Sequence, residues 1–394
     1  MENYNFYNQR VLLRCDFNVP MEKKRVADDF RLKRALPAIA FLKKAGAKVI
    51  ILSHLGKPQT IKNKRQRKSR LTLKPIGQRL EELLRDRVLF SKKNKGRYAE
   101  RLIKKMRPGG VLLLENLRFD AGEEKNSLKF AKALALLGDV YVNEAFSVCH
   151  REHSSVAALP GIMKHFAGPE LKREFEFLSR IVQNPPRPLV VLIGGSKIAS
   201  KIKVLKRFLK IADYLLLAGD VANTILAIKG LWMGQPSPTQ EEVSLAEEIN
   251  LTDPKIYLPS DVLASSDPRG EHAVRESGPG AVRRDEDVFD IGPGTICLFS
   301  DIIKQAGAVF WSGPLGCFEK GAFSRGTREI ASAIARSPAA LRLAGGGDTV
   351  AALRRFDLAD RFSFVSTGGG AMLNFLAGQE MPGLTALGFI YERN

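Results

Sequence analysis

Leu189-Val190-Val191-Leu192-Ile193-Gly194-Gly195-Ser196-Lys197 is the stretch that decides the fold. Its five opening residues are all apolar, and Val190, Val191 and Ile193 are β-branched. An uninterrupted run of that kind reads as a strand covered on both faces, because a strand with one wet face would alternate with polar residues. Two glycines then turn the chain, and a helix carrying Lys201 comes next. Glycine lets backbone N–H groups approach phosphate oxygens, and the helix N-terminus favours negative charge. The same grammar recurs where residues 341–344 lead into Gly345-Gly346-Gly347-Asp348-Thr349, and where residues 362–365 lead into Gly368-Gly369-Gly370. Lys197 and Lys201 lie one helical turn apart and could reach one phosphate, while Asp348 is placed to hold Mg²⁺ on a nucleotide. One such glycine run can be a tight turn only; three after strands of one sheet point to a nucleotide site.

Short apolar runs of this type continue in both directions. The second half has residues 189–193, 214–217, 255–258, 308–311, 341–344 and 362–365, and the first half has 11–15, 49–52, 111–114 and 140–142. Helix-length amphipathic segments separate them. In residues 31–45, Leu32, Leu36, Ile39 and Leu42 share one face, with Asp28 and Asp29 before them as capping residues. Strand, helix, strand over this length predicts parallel sheets covered on both faces. The chain breaks near residues 159–161 and at Gly168-Pro169, and residues 170–183 read as one long amphipathic helix closed by Pro185, Pro186 and Pro188. The expected fold class is α/β: two doubly wound parallel-sheet domains of similar size joined by a hinge helix, with residues 1–168 in the first and 169–375 in the second.

Ligands of open parallel sheets bind beyond the carboxyl ends of the strands. In the first half those ends lead into Arg14, Asp16 and Asn18, then Ser53-His54-Leu55-Gly56-Lys57, then Glu115-Asn116-Leu117-Arg118, and last Asn143 with His150-Arg151. Arg31 opens the first helix near the first strand end. Converging on one rim, these groups would make it strongly cationic, and the arginine fork suits carboxylate and phosphate oxygens. Some of them would pair with Glu and Asp as structural bridges.

Composition narrows the alternatives. The chain has 394 residues, 44% hydrophobic, which is material for two or three domains. No apolar run reaches the roughly 18 residues of a membrane span, and residues 1–9 lack the apolar centre of a signal peptide. The expectation is a cytoplasmic monomer with no membrane partner. Cys15, Cys149, Cys297 and Cys317 form no C-x-x-C pair and read as reduced thiols. His150 and His153 have no third metal ligand near them in sequence. The net charge of +20 attracts anions, and half of residues 57–70 are Lys or Arg. That segment reads as a solvated surface loop; nucleic acid is the alternative partner it offers. No G-x-x-x-x-G-K-[ST] occurs, and no G-x-G-x-x-G opens the first helix of either half, which sets aside P-loop enzymes and nicotinamide dehydrogenases.

Arg14-Cys15-Asp16-Phe17-Asn18-Val19-Pro20, Ser53-His54-Leu55-Gly56-Lys57-Pro58, Glu115-Asn116-Leu117-Arg118-Phe119, Gly194-Gly195-Ser196-Lys197, Gly345-Gly346-Gly347-Asp348-Thr349 and Ser366-Thr367-Gly368-Gly369-Gly370-Ala371 occur in this order over nearly the whole chain. In that order and content the chain resembles the phosphoglycerate kinase family. The resemblance implies transfer of the acyl phosphate of 1,3-bisphosphoglycerate to ADP, giving 3-phosphoglycerate and ATP, with Mg²⁺ carried on the nucleotide. It implies that Asp16, Phe17, Asn18, Arg31, His54, Leu55, Gly56, Lys57, Arg118 and Arg151 hold the phosphoglycerate. It assigns the nucleotide to Gly195, Lys197, Lys201, Gly292, Glu319, Gly345, Gly346, Gly347, Asp348 and Thr349, with Asp348 on the metal and Arg31, Lys197 and Lys201 catalytic. It also implies that the domains close on their substrates and that residues 376–394 return to the first domain. The reaction needs no general base, because the attacking ADP oxygen is already ionised; it needs neutralisation of charge and exclusion of water. The chain departs from the family pattern at Lys57 (usually Arg), Ser147-Val148-Cys149 (usually Gly-Thr-Ala-like), Ala218-Gly219-Asp220 (a glycine triplet) and Ser312 (usually Asn). These departures bear on nucleotide affinity and specificity more than on reaction type. Asp220 either accepts a hydrogen bond from a base amino group or crowds the nucleotide. The competing reading is a catalytically weak relative that binds nucleic acid through residues 57–70.

Overall fold

The structure, a computed structural model, describes residues 1, 3–196, 198–235 and 237–391. The chain divides into two compact units, the first made of Met1–Glu176 with residues 380–391 and the second of Phe177–Gln379.

The first unit is built on β1 (Arg10–Arg14), β2 (Lys48–Leu52), β3 (Val88–Phe90), β4 (Val111–Leu113), β5 (Val140–Asn143) and β6 (Lys164–Ala167), in the spatial order β3-β4-β2-β1-β5-β6. Every neighbouring pair is parallel. Residues of one strand alternate between two cores, as the period of two requires. Val11, Leu13, Val49, Ile51, Val140 and Val142 enter one core, in which Leu32, Ile39 and Leu42 of the helix Phe30–Lys44 are also buried. Leu12, Ile50, Leu112 and Tyr141 enter the other, with Phe130, Ala131 and Leu134 of the helix Leu128–Ala135. Both faces are covered, which is why these strands carry no alternation in the sequence. Asp28 accepts from Phe30 N at 2.8 Å, as a cap should. Asp29 makes no cap bond; its carboxylate pairs with Lys33 (2.9 Å) and Arg79 (2.6 Å) instead.

Residues 380–391 pack on the same unit. Gly383 N donates to Cys149 O at 2.9 Å, and a Cβ on Gly383 would lie 2.6 Å from Val156 Cγ1. Phe389 and Phe175 bring their rings to 4.5 Å.

The second unit repeats the plan with β7 (Leu189–Ile193), β8 (Tyr214–Leu217), β9 (Ile256–Tyr257), β10 (Val262–Ser265), β11 (Arg275–Ser277), β12 (Asp287–Ile291), β13 (Ala308–Ser312), β14 (Leu341–Gly345) and β15 (Phe364–Ser366). Its parallel sheet runs β9-β8-β7-β13-β14-β15. Val190, Leu192, Val309 and Trp311 face one core. On the other face Phe310 stacks on Phe208 of the helix Ile202–Ile211 at 5.3 Å. The fold class is therefore two doubly wound parallel-sheet units. An antiparallel sheet, β11-β10-β12, is appended to the second and was not expected from the sequence. No helix among the described residues is long and apolar enough to cross a membrane.

One expectation is corrected outright. Residues 57–70 are not simply a loop: Lys64–Leu71 is an α-helix, capped by Asn63, whose side chain accepts from Arg65 N and Gln66 N. Lys, Arg and Gln are good helix formers, so charge density alone did not forbid it.

The long helix, Pro169–Gln183, runs through the division between the units. Its first turn is held by Glu144, which accepts from Glu170 N at 3.1 Å. Burial, with the neighbouring Glu170 charge, pushes the Glu144 carboxyl up to about 8. An acid raised in the folded state contributes stability that is full below its unfolded value and is lost as pH rises through the folded value. Glu144→Gln should therefore flatten the stability profile between about pH 4 and pH 9, a window worth roughly 3–5 kcal/mol. Thermal melts should coincide with the native protein near pH 5 and exceed it by several degrees near pH 9. Equal slopes in the two proteins would show that Glu144 does not titrate in this window.

Candidate active site

In the first unit the strand order reverses between β1 and β5, the position where open parallel sheets place their ligands. Asp16 comes after β1 and Ser147 after β5, and the two are joined there by a hydrogen bond from Ser147 Oγ to Asp16 Oδ2. Arg31 donates to the same oxygen, and Asn18 N donates to Asp16 Oδ1 at 3.0 Å. Asn18 Oδ1 in turn accepts from Gly56 N at 2.8 Å, tying the loop after β1 to the loop after β2. Gly56 sits at φ +61, and a Cβ there would meet Leu71 Cδ2 at 2.8 Å. Asn116 holds the carbonyls of Leu55 (2.8 Å) and Leu71 (3.0 Å), and Glu115 accepts from Thr72 Oγ1 (2.8 Å) and Leu73 N (2.9 Å). Glu115 and Asn116 thus brace the rim.

The cations behave differently from a simple charged rim. Arg14 is wholly buried, bonded to Ser155 Oγ (2.9 Å) and Cys15 O (2.5 Å). His54, also buried, is held well below its ordinary value by burial and by Arg14, Arg118 and Arg151. It is neutral at physiological pH and offers a hydrogen bond, not a charge. Burial, with Arg151 and Arg118, holds His150 down to about 4, and burial, with Arg118, Arg14 and Arg151, holds His153 down to about 3. Arg118 donates to Gly56 O at 2.7 Å, yet its buried Nε and Nη2 have no hydrogen-bond partner. Burial, then Arg151, brings Arg118 down to about 10. Its Nε lies 3.3 Å from Glu124 Oε1, an ion pair without hydrogen-bond alignment. A buried guanidinium with unfilled donors, facing other guanidinium groups, costs free energy until an anion arrives.

Of the other expected residues here, Lys57 is exposed, and Arg151 donates to His150 Nε2 at 3.3 Å. Phe17 and Leu55 are core residues, 0% and 3% exposed, so their side chains are turned from the rim and only their backbones border it.

The second unit reverses its strand order between β7 and β13. The two turns touch there: Gly194 N donates to Ser312 O at 2.9 Å and Gly195 N to Pro314 O at 2.6 Å. A Cβ on Gly313, at φ +95, would lie 2.1 Å from Gly194 O. Only glycine fits so close a backbone approach. Lys201 reaches back under this turn, donating to Gly194 O and to Ser196 O (3.0 Å). Burial lowers its amine to about 8, against the pull of Asp348 and Asp220. Gly195, Glu319 and Asp348 line one cleft together with Asp220 and Asn223. Asp348 is exposed in the first turn of the helix Gly347–Arg355, and its carboxylate has no hydrogen-bond partner among the described residues. An unpaired carboxylate beside a glycine turn fits a magnesium ion carried on a nucleotide.

The remaining residues have local work. Thr349 Oγ1 accepts from Gly313 N at 2.7 Å and so locks the turn after β13. Gly345 packs against Met372, and Gly292 against Asp261, whose carboxylate caps Gly294 N and Thr295 N. Gly346 takes φ +106 and Gly347 opens the helix. Lys197 lies outside the described residues. Two contributors were not singled out from the sequence. Asn223 lies one turn after Asp220, a spacing that could have revealed it. Asp290 is buried, with its carboxyl raised to about 7, accepting from Gly326 N (2.8 Å) and Ile291 N (3.0 Å).

Comparison with known proteins gives the family of the chain. The sequence model of the family described as phosphoglycerate kinase matches residues 1–379. The chain is similar to the phosphoglycerate kinase of Dictyoglomus turgidum, 39% identical over 389 residues, with 96% of this chain and 95% of that one covered. It is likewise similar to that of Pelotomaculum thermopropionicum, 39% identical over 383 residues and 96% of each chain. Among solved structures it is similar to phosphoglycerate kinase from Coxiella burnetii, with TM-score 0.83, 37% identity and 98% of each chain covered. For the enzyme from Pyrococcus horikoshii the TM-score is 0.86, at 32% identity and 98% of each chain. These likenesses give no support to the nucleic-acid-binding alternative.

Proposed function

Because the chain belongs to the phosphoglycerate kinase family and is a phosphotransferase, we propose an allotment of roles among its own residues. The first unit holds 3-phosphoglycerate or 1,3-bisphosphoglycerate through Arg31, Arg118, Arg151, the neutral His54, and the Asp16–Asn18–Gly56 lattice. The second holds a nucleotide through the turns at Gly195 and Gly346, with Lys201 beneath the first of them and Glu319 in the same cleft; the family resemblance adds Lys197 to this set. The observation that carries this reading is the buried Arg118 guanidinium with two unfilled donors.

The chemistry is dictated by charge. A transferring phosphoryl group spreads negative charge over its oxygens, so rate comes from fixed positive groups and exclusion of water, not from a base. Arg31, oriented by Asp16, supplies charge from the first unit. Lys201, already fastened to two carbonyls, supplies it from the second without reorganising. When bound with the nucleotide, Mg²⁺ would neutralise phosphate charge, and Asp348 is the residue to hold it. The setting is a glycolytic reaction of the cytoplasm.

Arg118→Ala is the test. Charge-assisted hydrogen bonds to a ligand are worth roughly 1.5–3 kcal/mol, so the KM for 3-phosphoglycerate should rise about ten- to a hundredfold. Turnover at saturation should change little, the signature of a residue that binds ground state and transition state alike. Unchanged affinity in a titration would remove Arg118 from the site and the carrying observation with it.

A further inference from the structure

We propose that the nucleotide cleft of this chain is built to read guanine in preference to adenine, with Asp220 and Asn223 as the residues that read the base edge. The inference rests on the reading of this cleft as the nucleotide site and names the base it takes.

The helix Gly219–Ile228 starts directly after β8. Its start is fixed, because Gly219 adopts φ +58 and a Cβ there would lie 2.8 Å from Gly195 N and 3.0 Å from Pro314 O. The first turn of this helix is therefore clamped against the two glycine turns that would receive phosphates. Asp220 and Asn223 are three residues apart on it, which puts them on one face, and both line the cleft. Asn223 is partly buried, whereas Asp220 is exposed to the cleft. Neither side chain has a hydrogen-bond partner among the described residues. Burial raises the Asp220 carboxyl and the Lys201 charge opposes that rise. An exposed carboxylate and a half-buried amide, neither with a partner among the described residues and both lining one cleft, offer an acceptor pair beside a donor to a ligand edge of matching pattern.

The rest of the lining suits a flat ring. Val262, Val288, Phe289 and Ile291 contribute apolar wall. Phe289 is held in place by stacking on Phe323, centroids 4.6 Å apart.

The edges of the bases decide between them. Guanine presents two adjacent donors, N1–H and N2–H, next to an acceptor, O6. A carboxylate takes the two donors in parallel, and an amide one helical turn away can donate to O6. Adenine presents one donor at N6 and a bare lone pair at N1. That lone pair would face the Asp220 oxygens and be repelled, and Asn223 would lose its acceptor. Hypoxanthine keeps N1–H and O6 but lacks N2, so it should fall between the two. A well-formed bidentate pair discriminates by roughly ten- to a hundredfold against the wrong base, and the partly buried Asn223 amide left unpaired adds to the rejection. Crowding, the other effect an added carboxylate can have, would weaken all bases alike. It leaves the unfilled Asn223 beside Asp220 without a purpose.

The test uses the full chain with Mg²⁺ and GDP, IDP or ADP, measuring kcat/KM by coupled assay and Kd by calorimetry. GDP should exceed ADP at least tenfold in both measures, with IDP between. Asp220→Gly should collapse the GDP-to-ADP ratio by about the same factor. Asn223→Ala should weaken GDP and IDP together, relative to ADP. A native protein that turns over and prefers ADP, or an Asp220→Gly change that scales all three equally, overturns the inference and leaves the proposed function standing. Failure of all three nucleotides to bind or react overturns both.

Discussion

Arg31→Ala is expected to lower kcat by roughly a thousandfold or more, the scale on which an arginine stabilises a transferring phosphoryl group. The fold should scarcely notice. The Arg31 side chain is 31% exposed, and its partner Asp16 is held by other groups as well. Asp16 keeps its bonds from Asn18 N and Ser147 Oγ when the arginine is gone, so the junction between β1 and β5 stays laced. The expected signature is a collapsed kcat beside a melting temperature within a few degrees of native. A fall of less than about tenfold would show that Arg31 only shapes the rim.

Lys201→Met should be nearly as damaging but should fail differently. The methionine keeps the length of the buried stem and removes the charge and both carbonyl bonds. Loss of one preorganised donor at developing charge costs about a hundred- to a thousandfold, and here it should appear in kcat/KM for the nucleotide. The pH profile supplies an independent check. The charged amine is the working form, and burial has brought its value down to about 8. Native kcat/KM should therefore fall as pH rises through about 8, where an exposed lysine would hold its charge beyond pH 10. The residual activity of Lys201→Met should lack that limb. An identical alkaline limb in both proteins would assign it to another group.

The sequence disclosed most of the architecture because both sheets are covered on both faces. Leu189–Ile193 and Leu341–Gly345 carry uninterrupted apolar runs for that reason. The strands that escaped notice break the rule. Val88–Phe90 is three residues long, and Lys164–Ala167 lies at the sheet edge, where Lys164 and His165 are tolerated. The antiparallel strands Arg275–Ser277 and Asp287–Ile291 carry charged residues where an apolar run would announce a strand. Site residues were legible by position, since the loop at the carboxyl end of a strand in such a sheet tends to meet ligand. Their states were not. Nothing in a linear pattern shows that Arg14 is buried, that His54 is neutral among arginines, that Phe17 and Leu55 turn into the core, or that Thr349 serves the neighbouring turn. Each of these depends on the groups that approach from another strand.

The first unit is not continuous in the chain. Its closing piece, residues 380–391, is made only after the whole of Phe177–Gln379 has been made. On the ribosome the second unit is complete in sequence while the first still lacks the segment that seats Gly383 against Cys149 and Val156. The order of synthesis and the order of completion are thus reversed. Until residues 380–391 emerge, the nascent protein carries an uncovered seat at Cys149 and Val156, a natural foothold for chaperones and proteases.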